Sequence, residues 1–306
     1  MKKIEKIFEI LREIYPDPKT ELDYSTPFQL MMAVILSAQT TDKQVNKVTP
    51  AIFEYVKTSE DLLDGKRIRD NGKRGIRTKE YVFEEFERAI SGVNYYKTKA
   101  KNIWKLAEIL KKSSPLWLTN PSPKGSPSPL RGLCLYQGTQ NQKKQNIEEQ
   151  LGELMKLPWI GVKSAKVIGH VLWDLPVIAV DTHVHRVVNR WGIMKECVNK
   201  SSTTSWSPSF LKEDKMECGK KSEDKTECGK FGMVNGTKTP EETSEILEKI
   251  VPLKYKDFAH HAIVLFWRYI CTAKKPKCDM CELKKLCEYY KSLSHARGPL
   301  SPAKLD

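Results

Sequence analysis

Cys271, Cys278, Cys281 and Cys287 stand in the order C-x6-C-x2-C-x5-C, inside CTAKKPKCDMCELKKLC. Thiolate is the ligand that iron–sulfur clusters and zinc share, and four packed this tightly are costly unless something binds them. Structural zinc usually pairs two ligands a few residues apart and then repeats the pair. Here only Cys278 and Cys281 form a short pair, so the spacing favours a cluster and leaves zinc and unliganded thiols open. A disulfide framework suits a short secreted chain, whereas this one has 306 residues and opens without a signal-peptide pattern. Between the first two cysteines lie Lys274, Lys275 and Lys277, a cation-rich loop suited to clamping phosphate. Cys134, Cys197, Cys218 and Cys228 show no ligand spacing and read as ordinary reduced thiols.

A second set of chemistry-bearing residues lies upstream. Glu148 to Lys156 reads as a short helix with Leu151, Leu154 and Met155 inward. Leu157, Pro158, Trp159, Ile160 and Gly161 turn the chain, and a second helix follows from Val162 to about Trp173. Its expected inward face is Val162, Ala165, Gly169 and Leu172, with Lys163, Lys166 and His170 on another. A tight hairpin leading into a helix N-terminus leaves backbone N–H groups to hold a phosphate. At that start the helix dipole disfavours positive charge on Lys163, which helps the neutral amine, the form that attacks carbon. A plain surface lysine is the competing reading. Eighteen residues on, the apolar run Val177 to Val180 ends in Asp181. Asp181 can cap the next helix. A carboxylate directed at a nucleophilic lysine is also a general base, or a support for a cationic transition state.

These residues need a scaffold, and the periodicity supplies a helical one. Ile4, Ile7, Phe8, Leu11 and Ile14 recur at helical steps until Pro16 and Pro18 stop them. Ser25 or Thr26 can cap the next helix, with Pro27 at its first position. That helix, FQLMMAVILSA, is apolar all round, which predicts burial at the centre of a bundle. Val45, Val48, Ile52, Phe53 and Val56 predict a third helix. Val82, Phe83, Phe86 and Ile90 predict another, and Ile103, Trp104, Ala107 and Leu110 one more. Strand alternation is absent from the pattern, so the expected fold is all-α. Two polar stretches, Ser113 to Asn146 and Lys200 to Thr239, read as flexible insertions. The second repeats itself, EDKMECGKKS then EDKTECGKFG, as a local duplication does. No apolar run is long enough to span a bilayer, and no membrane partner is expected. Lys and Arg outnumber Asp and Glu, 52 to 38, for a net charge of +14. That excess fits a nucleic-acid partner better than a merely solvated surface.

Taken together, the segments resemble the endonuclease III family of DNA glycosylases. LMMAVILSAQTTDKQVNK is similar to the family's buried helix and glutamine loop. LPWIGVKSAKVI is similar to its hairpin with the catalytic lysine, VIAVDTHVHRV to its catalytic aspartate segment, and the cysteine run with CELKKLCEYY to its cluster. The resemblance covers about residues 1–112, 147–197 and 241–290. It implies a helix–hairpin–helix DNA glycosylase fold with a six-helix barrel over residues 20–175. It further implies an iron–sulfur cluster domain from 1–19 with 176–290, and a tail over 291–306. It implies a [4Fe–4S] cofactor and a partner of double-stranded DNA carrying a damaged base or an abasic site. The protein would be a monomer in the cytoplasm, nucleoid-associated in a prokaryote.

The reaction so implied is base-excision repair of oxidised pyrimidines by a bifunctional glycosylase. Lys163 attacks the sugar and nicks the strand by β-elimination through a Schiff base, with Asp181 assisting. Gln39 fills the gap left by the flipped base. The hairpin from Leu157 to Gly161 holds one phosphate, and Lys274, Lys275 and Lys277 another. Two positions depart from the family pattern. Trp159 replaces the first hairpin glycine, and is strained if that position needs φ > 0. Asn94 and Tyr95 replace a glycine and an apolar wedge, and Tyr95 can still wedge into the base stack. The adenine-mismatch branch usually lacks the lysine and carries a glutamate where this chain has Ala33. A non-catalytic iron–sulfur DNA-binding protein is the competing reading from another class.

Overall fold

The computed structural model describes residues 2–64, 79–113, 140–194 and 236–296. Every regular element among them is helical. The chain divides into two compact units, Lys19–Ala179 and a second formed by Met1–Pro18 with Val180–Asp306.

The Lys19–Ala179 unit is built around the helix Pro27–Ser37, and ten of its eleven residues are buried. The Thr26 hydroxyl caps it by accepting from the Gln29 N–H at 3.2 Å, and Pro27 takes the first turn, where no N–H is needed. Gln29 is the polar residue on this buried helix, and its amide is fully used. Nε2 donates to the carbonyls of Phe53 and Val56, both at 2.8 Å, while Oε1 accepts from the Ser25 N–H and hydroxyl. The helices Tyr96–Ser113 and Val162–Trp173 pack against Pro27–Ser37. Ile103, Leu106, Ala165 and Ile168 join Leu30 and Met31 in one core, each large aliphatic contributing about 1.5–3 kcal/mol. At Gly169 an added Cβ would lie 2.8 Å from Leu175 Cδ1 and 3.3 Å from Leu151 Cδ2, so a larger residue would make these side chains shift.

The third predicted helix is two. Asp42–Val48 ends at Thr49, and Pro50–Phe53 starts afresh. Pro50 has no N–H to continue the first ladder. The hairpin's first helix, Gln140–Met155, starts inside the stretch expected to be flexible. Its second is Val162–Trp173, as predicted, although two residues differ in facing. Val162 is exposed, because the chain enters the helix ahead of the core, and His170 is buried with Nδ1 3.1 Å from the Leu175 carbonyl oxygen.

In the second unit, the helix Lys3–Ile14 turns Ile4, Ile7, Phe8 and Leu11 inward against Leu253–Tyr269. The rings of Phe8 and Tyr255 stack there at 5.5 Å. The helix Thr182–Trp191 packs against Leu253–Tyr269, Pro240–Ile250 and Glu288–Ala296. Its buried polar residues satisfy one another. His185 Nδ1 lies 2.6 Å from Thr243 Oγ1, and Asn189 donates to Thr237 Oγ1 at 3.0 Å and accepts from the Thr237 N–H at 3.0 Å. The Thr239 hydroxyl caps Pro240–Ile250, so the second polar stretch is packed at its C-terminal edge. The bodies of both stretches, 114–139 and 200–235, lie outside the described residues, as do Cys134, Cys197, Cys218, Cys228 and the tail from 297. No helix among the described residues is long and apolar enough to cross a membrane.

Candidate active site and metal centre

Lys163 is the second residue of the helix Val162–Trp173, and its side chain is exposed. Gly161 occupies the N-cap with no side-chain hydrogen bond, and a Cβ there would meet nothing within 4 Å. The first-turn N–H groups therefore point out of an open cradle with the polarity an anion prefers. Beneath it, Leu157 and Ile160 are anchored in the core, and the Ile160 N–H closes the turn on the Leu157 carbonyl at 3.3 Å. That anchoring leaves Trp159 outside, 64% exposed, at φ 67°. The position does require the left-handed backbone, and tryptophan holds it against a cost of about 1–2 kcal/mol.

Backbone strain of this kind is concentrated. Four described non-glycine residues have positive φ: Gln39 at 54°, Tyr95 at 57°, Trp159 at 67° and Asp174 at 51°. Asp174 closes a helix, an ordinary use of this conformation by a short polar side chain. The other three are all candidate DNA contacts, and all are exposed, Tyr95 to 67%. Gln39 follows the helix Pro27–Ser37 and Tyr95 precedes Tyr96–Ser113. The structure brings these two turns together, since Asn94 Nδ2 donates to the Gln39 carbonyl at 2.6 Å.

Asp181 belongs to the second unit, Lys163 to the first. Asp181 is the N-cap of Thr182–Trp191, with Oδ1 accepting from the N–H groups of His183 at 2.9 Å and Val184 at 2.8 Å. That pair of bonds fixes the carboxylate's direction, and it is only partly buried.

The four cysteines line one recess, together with Trp191, Phe266 and Tyr290. Burial pushes the Cys281 thiol up to about 11, and the charges of Cys287, Cys271 and Cys278 add to it. Burial likewise raises Cys271, against the opposing Arg190 guanidinium, and raises Cys287. Sulfurs that repel one another as thiolates, in a half-dry recess, suit a cationic occupant that all four share. Arg190 ties the recess to the helix Thr182–Trp191. Its guanidinium donates to the carbonyls of Thr272 and Ala273 at 2.8 Å, approaches Cys271 Sγ at 3.5 Å, and lies over the Tyr289 ring. This holds the Cys271–Cys278 loop, on which Lys274, Lys275 and Lys277 are exposed.

Sequence reasoning did not single out Arg190 or Lys99. Arg190 reads as a solvated cation at a helix end, yet it is 2% exposed. Its partners stand more than eighty residues away, and no local pattern marks them.

Residues 32–207 match the family model described as HhH-GPD superfamily base excision DNA repair protein. Endonuclease III of Rickettsia conorii is 32% identical over 95% of this chain and 97% of its own. Endonuclease III of Escherichia coli strain K12 is 30% identical over 93% of this chain and 94% of its own. Among solved structures, a trapped endonuclease III–DNA covalent intermediate aligns with a TM-score of 0.61 and 28% identity, over 96% of this chain and 99% of that one.

Proposed function

The chain belongs to the HhH-GPD superfamily of base excision DNA repair proteins, with endonuclease III its relative along nearly the whole length, and from that premise we propose that it excises oxidised pyrimidines from double-stranded DNA and nicks the resulting abasic site through a Schiff base on Lys163. The observation that carries this reading is Lys163 at the open N-terminus of the hairpin's second helix, an exposed amine beside a ready cradle for phosphate.

The chemistry needs a neutral amine, a displaced base and a proton acceptor. The Lys163 Nζ lone pair attacks C1′ of a flipped nucleotide as the C1′–N bond breaks, and the base leaves with that electron pair. Loss of a proton from the nitrogen and opening of the sugar ring give the Schiff base. Removal of a C2′ proton then expels the 3′ phosphate, and water later frees Lys163. Asp181 supplies a negative charge beside the developing cation and takes up a proton. The hairpin Leu157, Pro158, Trp159, Ile160, Gly161 holds one phosphate of the damaged strand, and Lys274, Lys275 and Lys277 hold another. Gln39 and Tyr95 enter the base stack.

A [4Fe–4S] cluster is the proposed occupant of the cysteine recess, held by Cys271, Cys278, Cys281 and Cys287. Four thiols lining one recess, three of them (Cys271, Cys281 and Cys287) with pKa raised by burial, fit a shared cationic group. Only Cys278 and Cys281 form a short pair, a spacing that favours a cluster over the paired ligands of structural zinc. When bound, the cluster would offset part of the charge of the four thiolates and, through Cys271 and Cys278, join the two ends of the loop that carries Lys274, Lys275 and Lys277. We place the protein, as a monomer, with the DNA in the cytoplasm or nucleoid.

A duplex carrying thymine glycol tests the reading. The holoenzyme should release the free base and leave a nick 3′ to the abasic sugar. Release of neither, with DNA binding intact, would support the non-catalytic alternative instead.

A further inference from the structure

Asn94 stands where the family pattern has glycine, and its side chain does what glycine cannot. Nδ2 donates to the Gln39 carbonyl at 2.6 Å across 55 residues of chain, while the Asn94 N–H donates to Thr40 Oγ1 at 3.2 Å. Lys99, 5% exposed, adds a second tie. Its ammonium donates to the carbonyls of Leu36 at 2.8 Å and Ala38 at 2.6 Å and to Thr40 Oγ1 at 3.1 Å. Three acceptors match its three donors, which offsets the cost of burying the charge. Gln44 Nε2 makes a third tie, donating to the Gly92 carbonyl at 2.8 Å. All three join the Gln39 turn, or a helix flanking it, to the segment on either side of Tyr95. Gln39 and Tyr95 are both exposed and both at positive φ.

We propose that Asn94 and Lys99 are positioning residues that couple Gln39 and Tyr95 into one preformed, two-pronged wedge, so that the two side chains enter the duplex together. The inference rests on the proposed roles of Gln39 and Tyr95 at the DNA. Left-handed backbone at two exposed tips persists only where its surroundings over-determine it, and the ties supply that determination. Ordering the prongs before binding removes an entropic cost that a glycine-hinged turn would meet at the DNA. Asn94 is the specific coupler, because its side-chain bond runs directly from one prong's turn to the other's backbone.

A double-mutant cycle on duplex opening tests this. The holoenzyme is mixed with a duplex in which 2-aminopurine lies opposite a tetrahydrofuran abasic analogue, and the rise in fluorescence gives the opening rate. Gln39→Ala, Tyr95→Ala and their combination are compared with Asn94 present and in an Asn94→Ala background. With Asn94 present, the double variant should open DNA little more slowly than the worse single variant. In the Asn94→Ala background the two losses should multiply. Asn94→Ala alone should slow opening about three- to tenfold, with the melting temperature unchanged, since the residue is exposed. Asn94→Asp, alike in shape but without the donor, should lose as much. The proposal is overturned if the two losses already multiply with Asn94 present, or if Asn94→Ala or Asn94→Asp opens DNA at the wild-type rate. If neither Gln39→Ala nor Tyr95→Ala alone slows opening, the assignment of these residues to the DNA fails first, and the coupling falls with it.

Discussion

Trp159 is the residue at which sequence and backbone conflict most plainly. A bulky side chain at φ 67° should cost about 1–2 kcal/mol, and with the ring 64% exposed little packing repays it. Trp159→Gly should therefore raise stability by about 1 kcal/mol in a denaturant titration. It should also bind DNA more tightly, with a steeper salt dependence as the turn engages another phosphate. Lower stability would mean that the indole makes contacts worth more than the strain. Asp181 calls for a different pair of variants. Its Oδ1 holds two N–H groups, a task asparagine performs equally well. Asp181→Asn should leave the melting temperature in place while base excision falls roughly 100-fold. If Asp181→Asn kept full excision, the residue would be a helix cap alone. Both residues were legible from sequence, because the hairpin and the segment ending in Asp181 are contiguous strings. Lys99 was not, because the acceptors that permit its burial lie about sixty residues earlier and belong to a different turn.

Among the elements, helices with one strong apolar stripe were legible, and those whose ends depend on a single residue were less so. The span of Val162–Trp173 and the cap of Pro27–Ser37 follow from pattern and Pro27. The break at Pro50 overrode an apolar repeat that continued across it, and Gln140–Met155 begins in residues with too few apolar positions to reveal it. The helix Thr182–Trp191 carries a pH liability of the same hidden kind. Burial lowers the His185 pKa below its ordinary 6.5, with the Arg186 charge helping and Glu241 and Glu242 opposing. The unfolded chain thus takes up a proton at higher pH than the folded one. The stability from neutral His185 is full above the unfolded value and is lost as pH falls toward the folded one. Melting temperatures from pH 8 down to pH 5 should decline, and His185→Gln should flatten that slope. An equal slope in the variant would assign the acid sensitivity elsewhere.

Across the whole molecule, the order of motifs along the chain revealed more than composition did. A net charge of +14 pointed to nucleic acid without saying which chemistry. The hairpin lysine, the aspartate and the cysteine run, in that order, narrowed it to a glycosylase with a lyase step. The bodies of the two polar stretches, 114–139 and 200–235, fall outside those motifs and add none of their own. A chain with both replaced by short linkers should still nick abasic DNA, and a large loss of nicking in a folded variant would show that they serve the reaction. The central claim is the covalent step at Lys163, and borohydride reduction in the presence of abasic DNA tests it most directly. The account predicts a stable protein–DNA adduct whose mass-mapped linkage is Lys163, and none from Lys163→Ala, which still binds the DNA. An adduct formed undiminished by Lys163→Ala, or none formed by the wild-type holoenzyme, would contradict it.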